Sequence, residues 1–418
     1  MGRSVRNASM AALVAAFFVL TSLTPALAVS PGVVVGYSDT IRSFGQHTPI
    51  TVNGPSLAAG TWWVRITAEL DASGSAVTSG ETECDLTDGT TPLDQAFWLL
   101  DYGHLTGRAD VSLMLSGVQT ATSTWTPSLH CSTKAPTGIA LTFIRIDAVS
   151  GGLSGSSAAR LATASNGPTT VVGDGAFHIV GSLALPAGRW SISAKTNVAN
   201  ASLSVATDVT CRISPSSNDV DRNALSLNRK TLAGGEGEIA VDVAHDFSAA
   251  ATVRLECRGS SAASFTTDKV RLIAIKAGKL TKTAIGGSTT TTGNGTPQVT
   301  TAFRTSSIAI PSNSTLGTLA SLALPAGKWY VSAKAWVHGQ DMKIQCQLVN
   351  GEGGGFLGTI EFRAGTGGSS GLYVQNGVDV TTPVHEVLKC ETDTAGASLT
   401  FIRLTAIKAS SIAFVFLG

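Results

Sequence analysis

Three stretches of this chain carry one phrase ahead of a tryptophan. They are Leu57-Ala58-Ala59-Gly60-Thr61-Trp62, Leu185-Pro186-Ala187-Gly188-Arg189-Trp190 and Leu324-Pro325-Ala326-Gly327-Lys328-Trp329. The distance from Trp62 to Trp190, and from Trp190 to Trp329, is the size of a domain. It exceeds the roughly 20–50 residues of a solenoid repeat. A cysteine follows each tryptophan at a similar spacing, at Cys84, Cys211 and Cys346. A second follows at a nearly constant distance from the first, at Cys131, Cys257 and Cys390. An arginine in an apolar run then comes at almost the same offset in each, at Arg145, Arg271 and Arg403. Four landmarks in one order, three times over, define three copies of a single unit.

The repeat sets the expected cysteine pairing. A unit that recurs with two cysteines most simply bonds them to each other, giving Cys84–Cys131, Cys211–Cys257 and Cys346–Cys390. Zinc is the rival, but isolated pairs at this distance lack the C-x₂₋₄-C spacing of structural zinc sites. In the chain-entropy account a closed loop of about 45 residues contributes roughly 4 kcal/mol.

Each unit reads as β-structure. In the third copy Trp329, Val331, Ala333, Ala335 and Val337 alternate with Tyr330, Ser332, Lys334, Trp336 and His338. In the first, Trp62, Val64, Ile66, Ala68 and Leu70 alternate with Trp63, Arg65, Thr67 and Glu69. A period of two over this length is a strand with one buried face. Pro-Ala-Gly before it suits a tight turn, proline presetting φ and glycine tolerating positive φ. Apolar residues never recur at helical spacing for three turns. The expected fold class is therefore all-β: three tandem antiparallel β-sandwich (jelly-roll-like) domains, each with one internal disulfide. The expected boundaries are 29–150, 171–277 and 298–418, with Gly-, Ser-, Ala- and Thr-rich linkers at 151–170 and 278–297. An immunoglobulin module is disfavoured, because its tryptophan lies between the two cysteines.

The order of features is a turn ending in Pro-x-Gly, a long aromatic-led strand, a strand–loop–strand pair, and a last buried strand such as Leu399-Thr400-Phe401-Ile402-Arg403. In that order each unit resembles, over most of its length, the jelly-roll module of the C1q and tumour-necrosis-factor superfamily. The disulfide and the final arginine depart from that family. The resemblance implies trimerisation, and three copies on one chain would supply an intramolecular pseudo-trimer. Three independent beads on a string are the alternative.

Residues 1–28 read as an export signal. Arg3 and Arg6 precede an apolar stretch at 10–20, and Ala26-Leu27-Ala28 offers a cleavage pattern. The stretch is shorter than the roughly 20 residues that span a bilayer, and no other segment is long enough. The expectation is a secreted, extracellular chain of bacterial composition, with no membrane insertion. Removing Arg3 and Arg6 from the 29 basic residues leaves 27 against 28 acidic ones, a formal charge of −1. That balance argues against nucleic acid and anionic membranes, which need clustered Lys and Arg.

No catalytic constellation emerges. Gly367-Gly368-Ser369-Ser370-Gly371 matches the nucleophile-elbow pattern in letters, but the neighbouring sequence offers no helix to follow it. The seven histidines form no ligand pair. Asp94 and Asp221 occupy the same position relative to the first cysteine of their copies, with Asp85 and Asp88 or Asp219 nearby. These five are candidates for a calcium site built of oxygen ligands, although Asx turns explain the same composition. The arginines Arg145, Arg271 and Arg403 read as inter-strand or inter-module ion pairs. Trp63, Tyr330 and Trp336 alternate outward without recurring in the second copy, and are the candidate partner surface, a module–module interface being the alternative that would bury them. The expected function is a non-catalytic binding or adhesion protein with an unidentified protein or glycan partner and no cofactor. A structural component of an envelope, spore coat or extracellular assembly is the second expectation, and a secreted hydrolase a distant third.

Overall fold

The computed structural model describes residues 32–38, 40–46, 48–71, 80–100, 110–134, 139–151, 161–216, 219–227, 235–260, 263–293, 298–312, 316–339, 342–350, 356–364 and 369–417. The expected leader lies outside the described residues. Every element among them is a strand. The first module holds β1 (Gly32–Ser38), β2 (Arg42–Phe44), β3 (Ile50–Asn53), β4 (Gly60–Asp71), β5 (Gly80–Thr87), β6 (Pro92–Leu100), β7 (Asp110–Ala121), β8 (Ser128–Thr133) and β9 (Ile139–Ser150). The second holds β10 (Leu161–Asn166), β11 (Thr169–Val171), β12 (His178–Leu185), β13 (Gly188–Asn200), β14 (Thr207–Ile213), β15 (Asp221–Leu227), β16 (Glu236–Phe247), β17 (Ala251–Gly259) and β18 (Phe265–Ala277). A hairpin, β19 (Leu280–Ala284) and β20 (Thr289–Thr292), precedes the third. The third holds β21 (Val299–Arg304), β22 (Ile308–Ala309), β23 (Gly317–Leu324), β24 (Gly327–His338), β25 (Met342–Asn350), β26 (Phe356–Ala364), β27 (Ser369–Val380), β28 (Val384–Thr392) and β29 (Ser398–Ala409), and is followed by β30 (Ser411–Phe416).

Strand order is the same in each module. One sheet runs β1-β9-β4-β7, β10-β18-β13-β16 or β21-β29-β24-β27, and the other β3-β8-β5-β6, β12-β17-β14-β15 or β23-β28-β25-β26. Each pair of sheets encloses its own core, and the chain is three tandem jelly-roll sandwiches. All three expected disulfides form, at Cys84–Cys131, Cys211–Cys257 and Cys346–Cys390. Each joins residues directly opposite on adjacent strands of the second sheet.

The repeated phrase builds one turn three times. Gly60, Gly188 and Gly327 sit at φ +144, +135 and +143°, where a side chain would be strained. The indole N–H two residues on then closes the turn. Trp62 Nε1 donates to the Ala58 carbonyl at 2.9 Å, Trp190 to Pro186 at 3.1 Å and Trp329 to Pro325 at 3.0 Å. A second shared feature is a bulge in the last strand. Phe143, Lys269 and Phe401 take φ of 48, 50 and 47°, beside the register shifts opposite β4, β13 and β24. A non-glycine residue there costs roughly 1–3 kcal/mol. The bulge re-aims the arginine two residues later in each copy.

The long strands β4, β13 and β24 are buried on both faces, not one. One face packs on the module's own core and the other on the neighbouring modules. A further apolar cluster draws on all three, including Val35, Trp63 and Val149, Ala244 and Ile275, and Tyr330 and Ile407.

The strands also depart from the expected boundaries. β10 and β11 occupy part of 151–170, and β19 and β20 part of 278–297, so both expected linkers carry sheet structure. Threonine is a good strand former, and Thr281–Thr291 and Thr283–Thr289 pair their hydroxyls across the hairpin at 3.3 and 3.2 Å. β19 runs parallel to β21 and so extends the third module's sheet. β30 runs parallel to β1, so residues 411–416 belong to the first module's sheet and not to the third's. Leu417 enters the first module's core, and its backbone N–H donates to the Tyr37 carbonyl at 2.8 Å.

Candidate functional site

Two of the three aromatics expected at the surface are interior. Trp63 is 4% exposed and Tyr330 1%, and their rings meet edge to face at 5.8 Å across the boundary between modules one and three. Trp63 Nε1 donates to Ser116 Oγ at 2.7 Å, and Tyr330 Oη to Gln375 Oε1 at 2.9 Å. Gln375 Nε2 in turn donates to the Arg65 carbonyl at 3.0 Å, again between modules. These residues fasten modules together and offer nothing to an external partner. Trp336 alone keeps partial exposure.

The calcium candidates are placed just as differently. Asp94 is wholly buried and receives Lys195 Nζ of the second module at 2.7 Å, with Arg271 at 3.8 Å. Asp221 receives Lys334 Nζ of the third module at 2.8 Å, with Arg403 at 3.9 Å. Asp219 binds His245 and Lys282, the latter at 2.7 Å. Asp88 caps its own turn, accepting from the backbone N–H groups of Thr90 and Thr91 at 2.9 and 2.8 Å. Asp85 is half-buried, its carboxyl pushed up by burial. The five do not converge, and cations or turn amides already occupy four of them. No group of three His, Cys, Asp or Glu among the described residues is arranged to hold a metal. Ser369, the serine of the elbow pattern, opens strand β27 instead of sitting between a strand and a helix.

The buried charges thus form a lock between consecutive modules. At the first junction Asp94 on β6 meets Lys195 on β13 and Arg271 on β18. At the second, Asp221 on β15 meets Lys334 on β24 and Arg403 on β29. Backbone carbonyls complete each set. Arg271 donates to Leu93 at 2.9 and 3.1 Å, and Lys334 to Arg222 at 2.6 Å. The first junction adds Glu238, 3.2 Å from Lys195, and burial pushes its carboxyl up to about 7. The second adds Tyr373, whose hydroxyl oxygen accepts from Asn223 Nδ2 at 2.6 Å and the Ala240 backbone N–H at 2.7 Å. At the centre Arg65 reaches Asp242 of the second module at 3.4 Å. Beside it Asp147 is pushed up to about 8 by burial, against the pull of Arg145 and Arg65. The lysines, arginines and aspartates of the two locks hold protein to protein.

The outer rim of the second junction differs. Arg212 on β14 stands directly opposite Arg222 on β15, and Arg258 lies on the adjoining strand β17. All three guanidiniums gather over the ring of Phe177, at 3.9, 5.9 and 4.7 Å from its centroid. Arg222 also lies 5.7 Å from the ring of Phe401 in the third module, which stacks on Trp336 at 6.0 Å and 17°. Arg212 is paired with Glu256 at 2.8 Å. Burial, with Arg212 and Arg258 adding to it, holds the Arg222 guanidinium below its ordinary range. Reasoning from sequence missed this strip, although it leaves a signal. Cys211 and Cys257 point inward, so the arginine after each must point outward from neighbouring strands.

No family model matches this chain, and no curated protein matches it. Solved structures do. One, described by its triple jelly roll fold and turret assembly in an archaeal virus, is 12% identical over 91% of this chain and 92% of that one, with a TM-score of 0.19. The VP2 subviral particle of infectious bursal disease virus is 12% identical over 88% and 72%, at 0.21. A tandem of CBM22 domains from Paenibacillus barcinonensis is 13% identical over 58% and 93%, at 0.17. At these identities and scores no activity, ligand or assembly is carried over to this chain.

Proposed function

We propose that this chain is an exported, non-catalytic binding or adhesion protein whose three jelly-roll modules work as one head, an intramolecular counterpart of a jelly-roll trimer. The observation that carries the reading is the division of labour among polar groups. Those inside, from Lys195 and Asp94 to Lys334 and Asp221, bind module to module. Those at matching positions after the first cysteine differ from copy to copy, as the half-buried Asp85 and Arg212 and the buried Gln347 do. The resemblance to C1q and tumour-necrosis-factor modules supports the same reading, since those modules trimerise. Three disulfides suit an oxidising, extracellular setting.

Light scattering combined with small-angle scattering tests the head. A compact particle with the mass of one chain is the expected result. An extended particle with three separable bodies would overturn it. A structural role in an envelope or coat is the second reading, favoured by the same disulfides and by the strand β30 that ties the third module to the first. Recovery in an insoluble coat fraction, with no retained ligand, would select it.

A further inference from the structure

The basic and aromatic strip on the second junction is built against the interests of stability. Like charges directly opposite on neighbouring antiparallel strands are destabilising, yet Arg212 faces Arg222 in register. The matching positions elsewhere avoid this. In the first module Asp85 faces Gln95, and in the third Gln347 faces Thr359. Only Glu256 offsets the three arginines among the described residues, through Arg212. Arg222 Nε is buried with no hydrogen-bond partner among the described residues, and Trp336 Nε1 likewise. Each such group ordinarily costs about 1–3 kcal/mol. Arg258 is exposed.

We infer that the strip formed by Phe177, Arg212, Arg222, Arg258, Phe401 and Trp336 is a binding site for an acidic polysaccharide, one whose pyranose rings carry carboxylate or sulfate groups. The inference rests on the binding reading above and names its ligand class. Guanidinium groups present planar forks that match carboxylate and sulfate oxygens in pairs. Aromatic faces suit the C–H faces of a sugar ring. Here the two kinds of group follow one another across the boundary between modules two and three: Arg258, Phe177, Arg222, Phe401, Trp336. A compact anion would need cations converging on a point. This row instead fits a chain of alternating rings and charges, and it exists only when the two modules are locked side by side.

The test uses the full disulfide-bonded chain and calorimetric titration with polygalacturonate, heparin and neutral dextran. Binding to polygalacturonate or heparin, with none to dextran, is expected, and a preference between the two acidic polymers identifies carboxylate or sulfate as the group read. The double substitution Arg222→Gln/Arg258→Gln should weaken binding about tenfold or more and flatten its salt dependence. For the unmodified chain that dependence should be steep up to about 1 M NaCl, where charges are screened beyond about 3 Å. Trp336→Ala should weaken binding severalfold at every salt concentration. Arg258→Gln alone, at an exposed side chain, guards against loss of folding, and Glu83→Gln on the first junction should change nothing. Equal binding by the unmodified chain and the arginine variants would overturn this site while leaving the binding reading intact. Failure of all three polymers and of any protein partner to bind would overturn both. A particle of two or more chains that the arginine variants reduce to one would assign the strip to a second copy instead, and overturn the inference.

Discussion

The two module junctions are built on one plan and finished differently. In both, an aspartate on the sixth strand of one module enters a lysine and an arginine on the fourth and last strands of the next, as Asp94 does with Lys195 and Arg271 and Asp221 with Lys334 and Arg403. In both, the bulged residue before the arginine holds a left-handed backbone, at Lys269 and Phe401. The rims then diverge. Around the first lie Glu83, pushed up by burial and then by Asp85 and Glu81, and Asp85, pushed up by burial against a hydrogen bond from Gln95. Around the second lie three arginines and three aromatic rings. Residues that must agree to hold the modules in place agree. Residues free of that duty have diverged.

Removing the locks should have the largest effect. Asp221→Ala leaves the buried Lys334 ammonium without a carboxylate and should cost about 3–5 kcal/mol, read as a fall in the denaturant midpoint, whereas Asp94→Ala leaves Lys195 still beside Glu238 and should cost less. A larger loss is expected at the second junction than at the first. A lock that could be removed for less than about 1 kcal/mol would not be a lock.

The next effect separates the junctions, because only the first contains Glu238. Its carboxyl is raised from an ordinary value of 4.5 to about 7, burial being the main cause. The folded state therefore holds the proton more tightly than the unfolded chain. Below pH 4.5 both states are protonated and nothing is lost. As pH climbs from there through 7, the unfolded chain ionises first, and stability falls by up to about 3 kcal/mol. Glu238→Gln should flatten that slope, measured as the change in unfolding free energy between about pH 4.5 and 8. An unchanged slope would remove this asymmetry between the junctions.

The smallest effect concerns the rim. Arg222→Gln relieves the charge pair facing Arg212, and should stabilise the folded chain by a few tenths of a kcal/mol while weakening polysaccharide binding. A stability gain coupled to a binding loss is the signature of a group retained for function. Loss of both would make Arg222 structural.

Much of the architecture is legible in the residues, because its causes are local. The turn phrase recurs since a positive-φ glycine and an indole N–H two residues later close one hydrogen bond. The cysteines pair within each copy because the copies fold alike. Period-two alternation finds β4 and β24 for the same reason. What alternation does not tell is which medium meets each face. Trp63 and Tyr330 alternate away from their own cores, and only the neighbouring module decides that they are buried. Asp94 and Asp221 look like oxygen ligands on loops, and become lock residues once Lys195 and Lys334, each from the following module, arrive beside them. The apolar tail at 411–416 carries strand propensity but no mark of the sheet it joins.

The sequence by itself determined three disulfide-closed β-sandwiches, their turns and their repeated landmarks, since each depends on contacts within a single module. The tertiary structure alone decided that the other face of each long strand is an interface, that the acidic candidates bind cations of the chain itself, and that arginines from three strands meet aromatics from two modules. Those outcomes depend on how whole modules pack. Packing sums many weak contacts between distant segments, and no local pattern of residues records it.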